Sequence, residues 1–137
     1  MSYIQDFFAE ALLNEKQAQE KTIKSNLIVL LTHMLKCKYQ NEYPNKSSWR
    51  DSILNSFIDI TLEFKERRGK YTGAMYKKFY LRDVSLDRCY KVAMRKASKE
   101  TGLNISVFPP ECEWTKRDLI NQDFIFDFID EYGQDKK

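Results

Sequence analysis

Apolar side chains recur every three or four residues along the first 39 positions, a periodicity that limits the chain to a helical start. This spacing places them on one face of an α-helix. The stripe consists of Ile4, Phe7, Phe8, Ala11, Leu12, Ile23, Leu27, Leu30, Leu31, Met34 and Leu35. The stretch NEKQAQEKTIK between its two halves is polar, so the pattern allows either one long helix or two.

A second helix is predicted after the turn QNEYPNKS, where Pro44 stops the first helix. Ser47 is the predicted N-cap, because its hydroxyl is suited to accept a hydrogen bond from the first turn. Ser48 with Asp51 three residues later offers a second start, similar to a capping box. Gly69 is the predicted C-terminal stop. The expected buried stripe consists of Trp49, Ile53, Leu54, Phe57, Ile58 and Leu62.

The rest of the chain also has helical signals. A helix from about Val84 to Thr101 is predicted to end at Gly102, whereas KYTGAMYKKFYLRD fits a loop or a short helix. Prolines keep VFPPEC extended, and Thr115 with Asp118 opens a last helical piece. We therefore predict one all-α domain, residues 1–137, forming a bundle of about four to six helices with an irregular crossing near residues 103–114.

Composition agrees with a folded, helical domain. The chain is 42% apolar and 14% aromatic, with only 4 Gly and 3 Pro among 137 residues. Its longest apolar run, LIVLL, is too short to span a membrane, and the N-terminus has no export signal. Three distant cysteines without a CxxC pair favour reduced thiols, so we expect a cytoplasmic protein. The sequence has no Gly-rich phosphate loop, HExxH motif or spaced carboxylate cluster, and we expect no cofactor. The oligomeric state is not predicted.

The net charge of +3 conceals a strong segregation of charge along the sequence. Residues 1–64 carry a net charge of −1, residues 65–99 carry +9, and residues 100–137 carry −5. The middle segment, which we call the basic middle, contains 12 basic and 3 acidic side chains. This segregation is the strongest indication of a binding function in the composition.

Several motifs occur together in an order typical of one family. VLLTHMLKCKYQNE, SSWRDSI, ETGL and FPPECEWTKRDLINQDF span roughly residues 20 to 125 and resemble the prokaryotic domain-of-unknown-function 29 family. Its members show LLxHLLK-W-xYQ-PE, SWRxxI, ETGL and FPxxCPYT…DF. Here Cys37 replaces the usual Trp, and Glu113–Trp114 replaces Pro–Tyr. The resemblance implies an all-α fold and a bacterial or archaeal origin, including mobile elements, but no established activity.

The first candidate site surrounds the only histidine. His33 and Lys36 lie on one predicted helix face near Tyr39, and the next helix begins with Trp49 and Arg50. Such groups suit a metal-independent nuclease, with His33 as the base, Lys36 and Arg50 on the phosphate, and Tyr39 orienting the substrate. The structural alternative, which we favour, has His33 bonded to the inter-helix loop, Trp49 in the bundle and Arg50 paired with Glu42 or Asp51.

A metal site at the same place is a weaker hypothesis. His33 and Cys37 have the spacing of two ligands on one helix face. Zinc would need two further ligands, and Cys89, Cys112 and the carboxylates lie far away in sequence. We therefore predict no metal site and assign Cys37 as a buried structural thiol.

The basic middle is the second candidate site and our preferred binding region. One part of it forms a stripe at helical spacing, and another part interleaves cations with aromatic rings that could stack on bases. The predicted partner-binding residues are Lys70, Lys77, Lys78, Arg82, Arg88, Lys91, Arg95, Lys99, Tyr76 and Tyr80. The alternative is a solvated helix face with the aromatic rings turned into the core.

The acidic, aromatic C-terminal segment, residues 123–137, is the last candidate. Its three phenylalanines among carboxylates could dock on a partner or on the basic middle of the same chain, and self-docking is preferred because it buries the rings.

Three functions remain open. The preferred one is a non-enzymatic module whose basic middle engages nucleic acid or an acidic protein surface. The others are the nuclease described above and a protein-interaction inhibitor or regulator from a mobile element.

Overall fold

The N-terminal apolar stripe lies on a single continuous helix, α1 (Tyr3–Tyr39). This computed structural model describes the backbone of residues 3–65 and 72–135 and the side chains of residues 16–65 and 72–135. Four more α-helices follow: α2 (Ser47–Glu63), α3 (Gly73–Asp83), α4 (Leu86–Thr101) and α5 (Gln122–Tyr132). Short 3₁₀ turns lie at Ile105–Val107 and Asp118–Ile120. The described residues contain no strand, so the predicted all-α bundle is confirmed.

Helix α1 lies at the centre of the bundle. Both α2 and α4 pack along it, and α3 contacts it as well. Its second half is buried on the predicted face, at Ile23, Leu27, Leu30, Leu31, Met34 and Leu35. Burial of these side chains supplies the main driving force for the packing of the other helices on α1. The polar stretch NEKQAQEKTIK does not interrupt the helix.

The start and the buried face of α2 differ from the prediction. Ser47 is the first helical residue, and Lys46 occupies the N-cap position without a side-chain cap. The Ser47 amide instead donates to Asn45 Oδ1 at 2.9 Å, which replaces the cap expected from the Ser47 hydroxyl. The buried side chains are Ile53, Ser56, Phe57, Ile60 and Glu63.

The predicted stripe on α2 was therefore partly wrong. Ile58 and Leu62 are 47% and 45% exposed. Helix α2 has apolar residues on two faces, and packing on α1 buries only one of them. Gly69, the predicted stop, lies outside the described residues.

The ambiguous segment before α4 is helix α3, whose two ends are both capped. The Thr72 hydroxyl accepts from the Met75 amide at 3.2 Å at the start. At the other end, Lys116 Nζ donates to the carbonyl oxygens of Leu81 at 2.6 Å and Val84 at 2.9 Å. These bonds satisfy carbonyls that a helix end leaves without partners.

Gly102 ends α4 as predicted, with φ of 78° and its amide bonded to the Ser98 carbonyl at 2.9 Å. The following crossing is irregular. Phe108 is extended ahead of Pro109, and the Tyr90 hydroxyl donates to the Pro109 carbonyl at 2.6 Å. This bond holds the crossing against α4.

The predicted capping box is present, but the helix that it opens is short. The Thr115 amide donates to Asp118 Oδ2 at 3.0 Å, and the Asp118 amide donates to Thr115 Oγ1 at 3.1 Å. A 3₁₀ turn follows, and extended Asn121 caps α5 by accepting from the Phe124 amide at 3.1 Å. The last helix therefore begins later than the sequence suggested.

Candidate functional site

The first candidate site lies where the end of α1, the start of α2 and the residues after α5 meet, a region that we call the joint. His33 is half-buried there. Its Nδ1 donates to the Val29 carbonyl at 2.8 Å, within its own helix and not to the inter-helix loop as expected. Burial, assisted by the nearby Lys36 charge, lowers the pKa of His33 below its ordinary value and favours the neutral ring.

Lys36 connects three helices. Its side chain is buried and forms an ion pair with Glu100 near the end of α4. Its Nζ also lies 5.7 Å from the centroid of the Trp49 ring on α2, a cation–π distance. Trp49 in turn stacks on Tyr43, with ring centroids 4.6 Å apart. These contacts occupy Lys36 with intramolecular partners.

Tyr39 is also engaged by an acidic residue. Its hydroxyl donates to Glu113 Oε2 at 2.8 Å, and the neighbouring Lys38 forms an ion pair with the same carboxylate. Burial and the Glu113 charge raise the pKa of Tyr39. Lys38 Nζ lies 5.1 Å from the Tyr132 ring centroid. Glu113, which stands at a position that departs from the family pattern, therefore ties the irregular crossing to α1.

Arg50 binds the C-terminal segment. Its Nη1 donates to the Gly133 carbonyl at 2.7 Å and to Asp135 Oδ1 at 2.9 Å. The expected pairing of Arg50 with Glu42 or Asp51 was therefore wrong. The partner lies 85 positions away in sequence, a distance that local spacing does not predict.

Lys46 is the joint residue that the sequence reasoning missed. It is buried, and its Nζ donates to the carbonyls of Cys37 at 2.8 Å and Tyr132 at 3.0 Å. Its amide donates to Asp135 Oδ1 at 2.9 Å. Lys46 lies in a turn, where helical periodicity does not indicate which side chains are buried. The sequence pattern therefore gave no signal for its burial.

The joint does not present the nuclease groups as one open cluster. Lys36, Tyr39 and Arg50 each have their own intramolecular partners. Burial raises the pKa of the Cys37 thiol to about 11, which disfavours the thiolate that a metal would need. Among the described residues, no group of three or more His, Cys, Asp or Glu side chains is placed to hold a metal ion.

The second candidate site lies on the solvent side of α4. Its basic residues, which we call the α4 basic face, are Arg88, Lys91, Arg95, Lys96 and Lys99, and all five are exposed. Lys91 has one long ion pair, 3.8 Å from Asp87. The other four form no ion pair with any residue in the described ranges. At a rise of 1.5 Å per residue the face is about 16 Å long.

The part of the basic middle that lies on α3 is less uniform. Lys77 and Lys78 are exposed, whereas Arg82 is paired with Asp83 at 2.8 Å. Lys70 lies outside the described residues. Tyr76 and Tyr80 are fully buried, so the prediction that their rings stack on bases was wrong. Their rings fill the interior because α3 turns its aromatic side towards the bundle.

The acidic C-terminal segment docks on the joint and leaves the α4 basic face open. Asp135 bonds Lys46 and Arg50, and Phe128 packs edge-on against Trp114 with centroids 5.5 Å apart. Of the three phenylalanines, Phe128 is buried, Phe124 is half-buried and Phe126 is 45% exposed. The expected self-docking therefore occurs at a different place and buries less aromatic surface.

Comparison with known proteins identifies a family. A family model described as domain of unknown function DUF29 matches residues 8–125, which include all of α4 and the part of the joint formed by α1 and α2. No curated protein and no solved structure gives a significant match. Within the described part of the chain, no helix combines the length and the apolar character that a membrane crossing requires.

Proposed function

We propose that this chain, which belongs to the DUF29 family, is a small non-enzymatic binding module whose α4 basic face engages nucleic acid or an acidic protein surface. The observation that carries the proposal is that four of the five cations on that face form no ion pair with the residues that the structure describes. Arg88, Arg95 and Lys99 are exposed and form no ion pair with the described residues. Cations without intramolecular partners remain available to neutralise an anionic ligand.

The geometry of α4 supports contact with a polymeric anion. The cations recur along one side of α4 over about 16 Å. Three of them (Arg88, Lys91 and Arg95) follow each other at spacings of three and four residues. A linear array of this kind contacts several phosphates or carboxylates at once, and each contact adds to the salt dependence of binding.

The buried tyrosines influence the kind of binding that we propose. With Tyr76 and Tyr80 in the interior, α4 and α3 offer cations but not these rings to a ligand. Recognition of nucleic acid would then rest on the phosphate backbone, without the base stacking that exposed aromatics provide.

A nuclease centred on His33 has less support. The two cations assigned to the phosphate, Lys36 and Arg50, are held by Glu100 and Asp135. A nuclease would require both to leave these partners. Cleavage of RNA or DNA by the purified protein in the presence of a chelator, abolished in His33→Ala at an unchanged melting temperature, would establish that alternative against our proposal.

We also propose a cytoplasmic setting in a prokaryotic cell or mobile element. The unpaired cysteines Cys37, Cys89 and Cys112 support a reducing compartment. The family resemblance supports the prokaryotic origin.

A role as inhibitor or regulator of one protein agrees with the form of the proposal in which the partner is an acidic protein. A stoichiometric partner in a pull-down from the native host would favour this role.

The proposal is tested by fluorescence anisotropy with two labelled probes, a single-stranded oligonucleotide and a polyglutamate chain, at low ionic strength. The variant Arg95→Gln/Lys99→Gln should bind its anionic probe at least roughly tenfold more weakly than the unmodified chain. The matched control, Lys21→Gln/Arg117→Gln, removes two exposed cations elsewhere and should lose much less affinity. Failure of both probes to bind, or equal losses in the two variants, would contradict the proposal.

A further inference from the structure

Helices α2 and α5 form a second exposed surface that the basic middle does not include. A groove of about 380 Å³ with mostly apolar walls lies between the two helices. Its lining residues, which define the α2–α5 groove, are Leu54, Phe57, Ile58, Gln122 and Phe126. Ile58 and Phe126 are 47% and 45% exposed. Large apolar side chains that cluster at the surface in this way mark interaction sites.

The apolar surface extends along α2 at a regular spacing. Leu54, Ile58 and Leu62 follow each other at intervals of four residues, and Leu62 is 45% exposed. Residues four apart share one helix face, so this row covers two turns, or about 12 Å. Phe126 of α5 closes the opposite wall. The apolar row on α2 and Phe126 on α5 together form a groove of the kind that binds the apolar face of a helix.

Unpaired carboxylates flank this groove on both helices. Asp51 lies one turn before Leu54, and Asp123 and Asp130 lie one turn before and after Phe126. All three are exposed and form no ion pair with the part of the chain that the structure describes. An apolar groove between acidic side chains complements a ligand with an apolar centre and basic flanks.

We propose that the α2–α5 groove binds an amphipathic helical segment of a partner protein, with apolar anchors at three- and four-residue spacing and lysine or arginine beside them. Acidic flanks repel the phosphates of nucleic acid, which excludes that ligand here. A second copy of the α4 basic face is a poor occupant, because Ala93 and Ala97 on its apolar side are buried in its own core. The inference uses no residue of α4 and is independent of the proposed function.

The test uses a labelled peptide of about 18 residues, with leucines at helical spacing on one face and lysines on the other. A peptide of the same composition with a scrambled order carries the charge without the apolar face. Binding is followed by fluorescence anisotropy, and circular dichroism checks that each protein variant is folded. We expect the patterned peptide to bind at least roughly tenfold more tightly than the scrambled one.

Two variants locate the binding site. Ile58→Ser and Phe126→Ser should each weaken binding of the patterned peptide by roughly tenfold, because both remove an exposed anchor contact. Ile105→Ser is the matched control, since Ile105 is 42% exposed and lies outside the groove. Asp123→Asn/Asp130→Asn should weaken binding and reduce its dependence on salt.

Three results would overturn the inference. The first is equal affinity of the patterned and scrambled peptides, or no binding by either of them. The second is unchanged affinity in Ile58→Ser and Phe126→Ser. The third is a dimer of the unmodified chain, measured by analytical ultracentrifugation, that Ile58→Ser converts to a monomer, because the groove would then belong to a contact between copies.

Discussion

Arg50 on α2 donates a hydrogen bond of 2.7 Å to the carbonyl oxygen of Gly133, which lies 83 positions later in the chain, directly after α5. The guanidinium also reaches Asp135 Oδ1 at 2.9 Å. The space between these elements is small, since a Cβ at position 133 would lie 3.2 Å from Arg50 Cγ. Arg50 thereby fixes the end of the chain against the start of α2, and we assign it a structural role.

The first prediction concerns this contact. Arg50→Ala should lower the free energy of unfolding by about 1–2 kcal/mol, because the Gly133 carbonyl and the Asp135 carboxylate lose a charged donor. Urea denaturation measures the change. Arg117→Ala, at an exposed position without an ion pair to the described residues, should change it by less than about 0.5 kcal/mol. Equal urea midpoints for Arg50→Ala and the unmodified chain would contradict the structural role of Arg50.

Removal of the buried Lys46 ammonium group should also destabilise the protein. Lys46→Met keeps the aliphatic stem but removes the donor shared by the carbonyls of Cys37 and Tyr132. We expect a loss of about 2–3 kcal/mol in the free energy of unfolding, since both carbonyls are left without this partner. Lys24→Met, at an exposed position on α1, is the control for the substitution itself. A more stable Lys46→Met protein would show that burial of the ammonium costs more than its hydrogen bonds return.

The lowered pKa of His33 should make the stability of the protein depend on pH. Burial lowers its pKa in the folded state below the ordinary value of 6.5. The unfolded chain therefore binds the proton more tightly, and the free energy of unfolding should fall as the pH drops below about 6.5. His33→Gln should flatten this dependence between pH 7.5 and 5.5, since the chain has no other histidine. Thermal melts at both pH values provide the measurement, and an identical change of melting temperature in the two proteins would contradict the lowered pKa of the half-buried ring.

Substitution of Gly102 should lower the stability of the protein through a purely conformational effect. Its φ of 78° is strained for residues with a Cβ, and no heavy atom lies within 4 Å of the position where that Cβ would be. Gly102→Ala should therefore cost about 1 kcal/mol through backbone strain alone. Gly102→Asn should cost less, because asparagine tolerates this region better. The order of the three melting temperatures, glycine above asparagine above alanine, tests the assignment.

The sequence predicted most of the helical architecture because its signals are local. Apolar spacing located α1 and most of the core, and Gly102 ended α4 where the pattern placed it. The side of α2 that is buried was harder to predict. Ile58 and Leu62 fit a helical stripe as well as Ile60 does, and only packing on α1 decides which residues are covered.

The candidate sites depended more on distant contacts, which a single sequence does not contain. Lys36, Lys46 and Arg50 each have a partner that is distant in sequence, on α4 or in the C-terminal segment. The burial of Tyr76 and Tyr80 follows from the orientation of α3, which turns these two rings towards the bundle and leaves Lys77 and Lys78 exposed. The cations of α4 were predicted as one exposed stripe because their spacing alone determines that they share a helix face.

The central claim, that the α4 basic face contacts a polymeric anion, is tested most directly by the salt dependence of binding. The observed affinity for a labelled single-stranded oligonucleotide is measured from about 50 to 200 mM salt, for the unmodified chain and for Arg95→Gln/Lys99→Gln. The account predicts that the slope of log affinity against log salt becomes shallower by about 1.4 in the variant, from two lost phosphate contacts. With an acidic polypeptide as the probe, we likewise expect the variant to have a shallower slope than the unmodified chain. Equal slopes for both proteins with both probes would contradict the account.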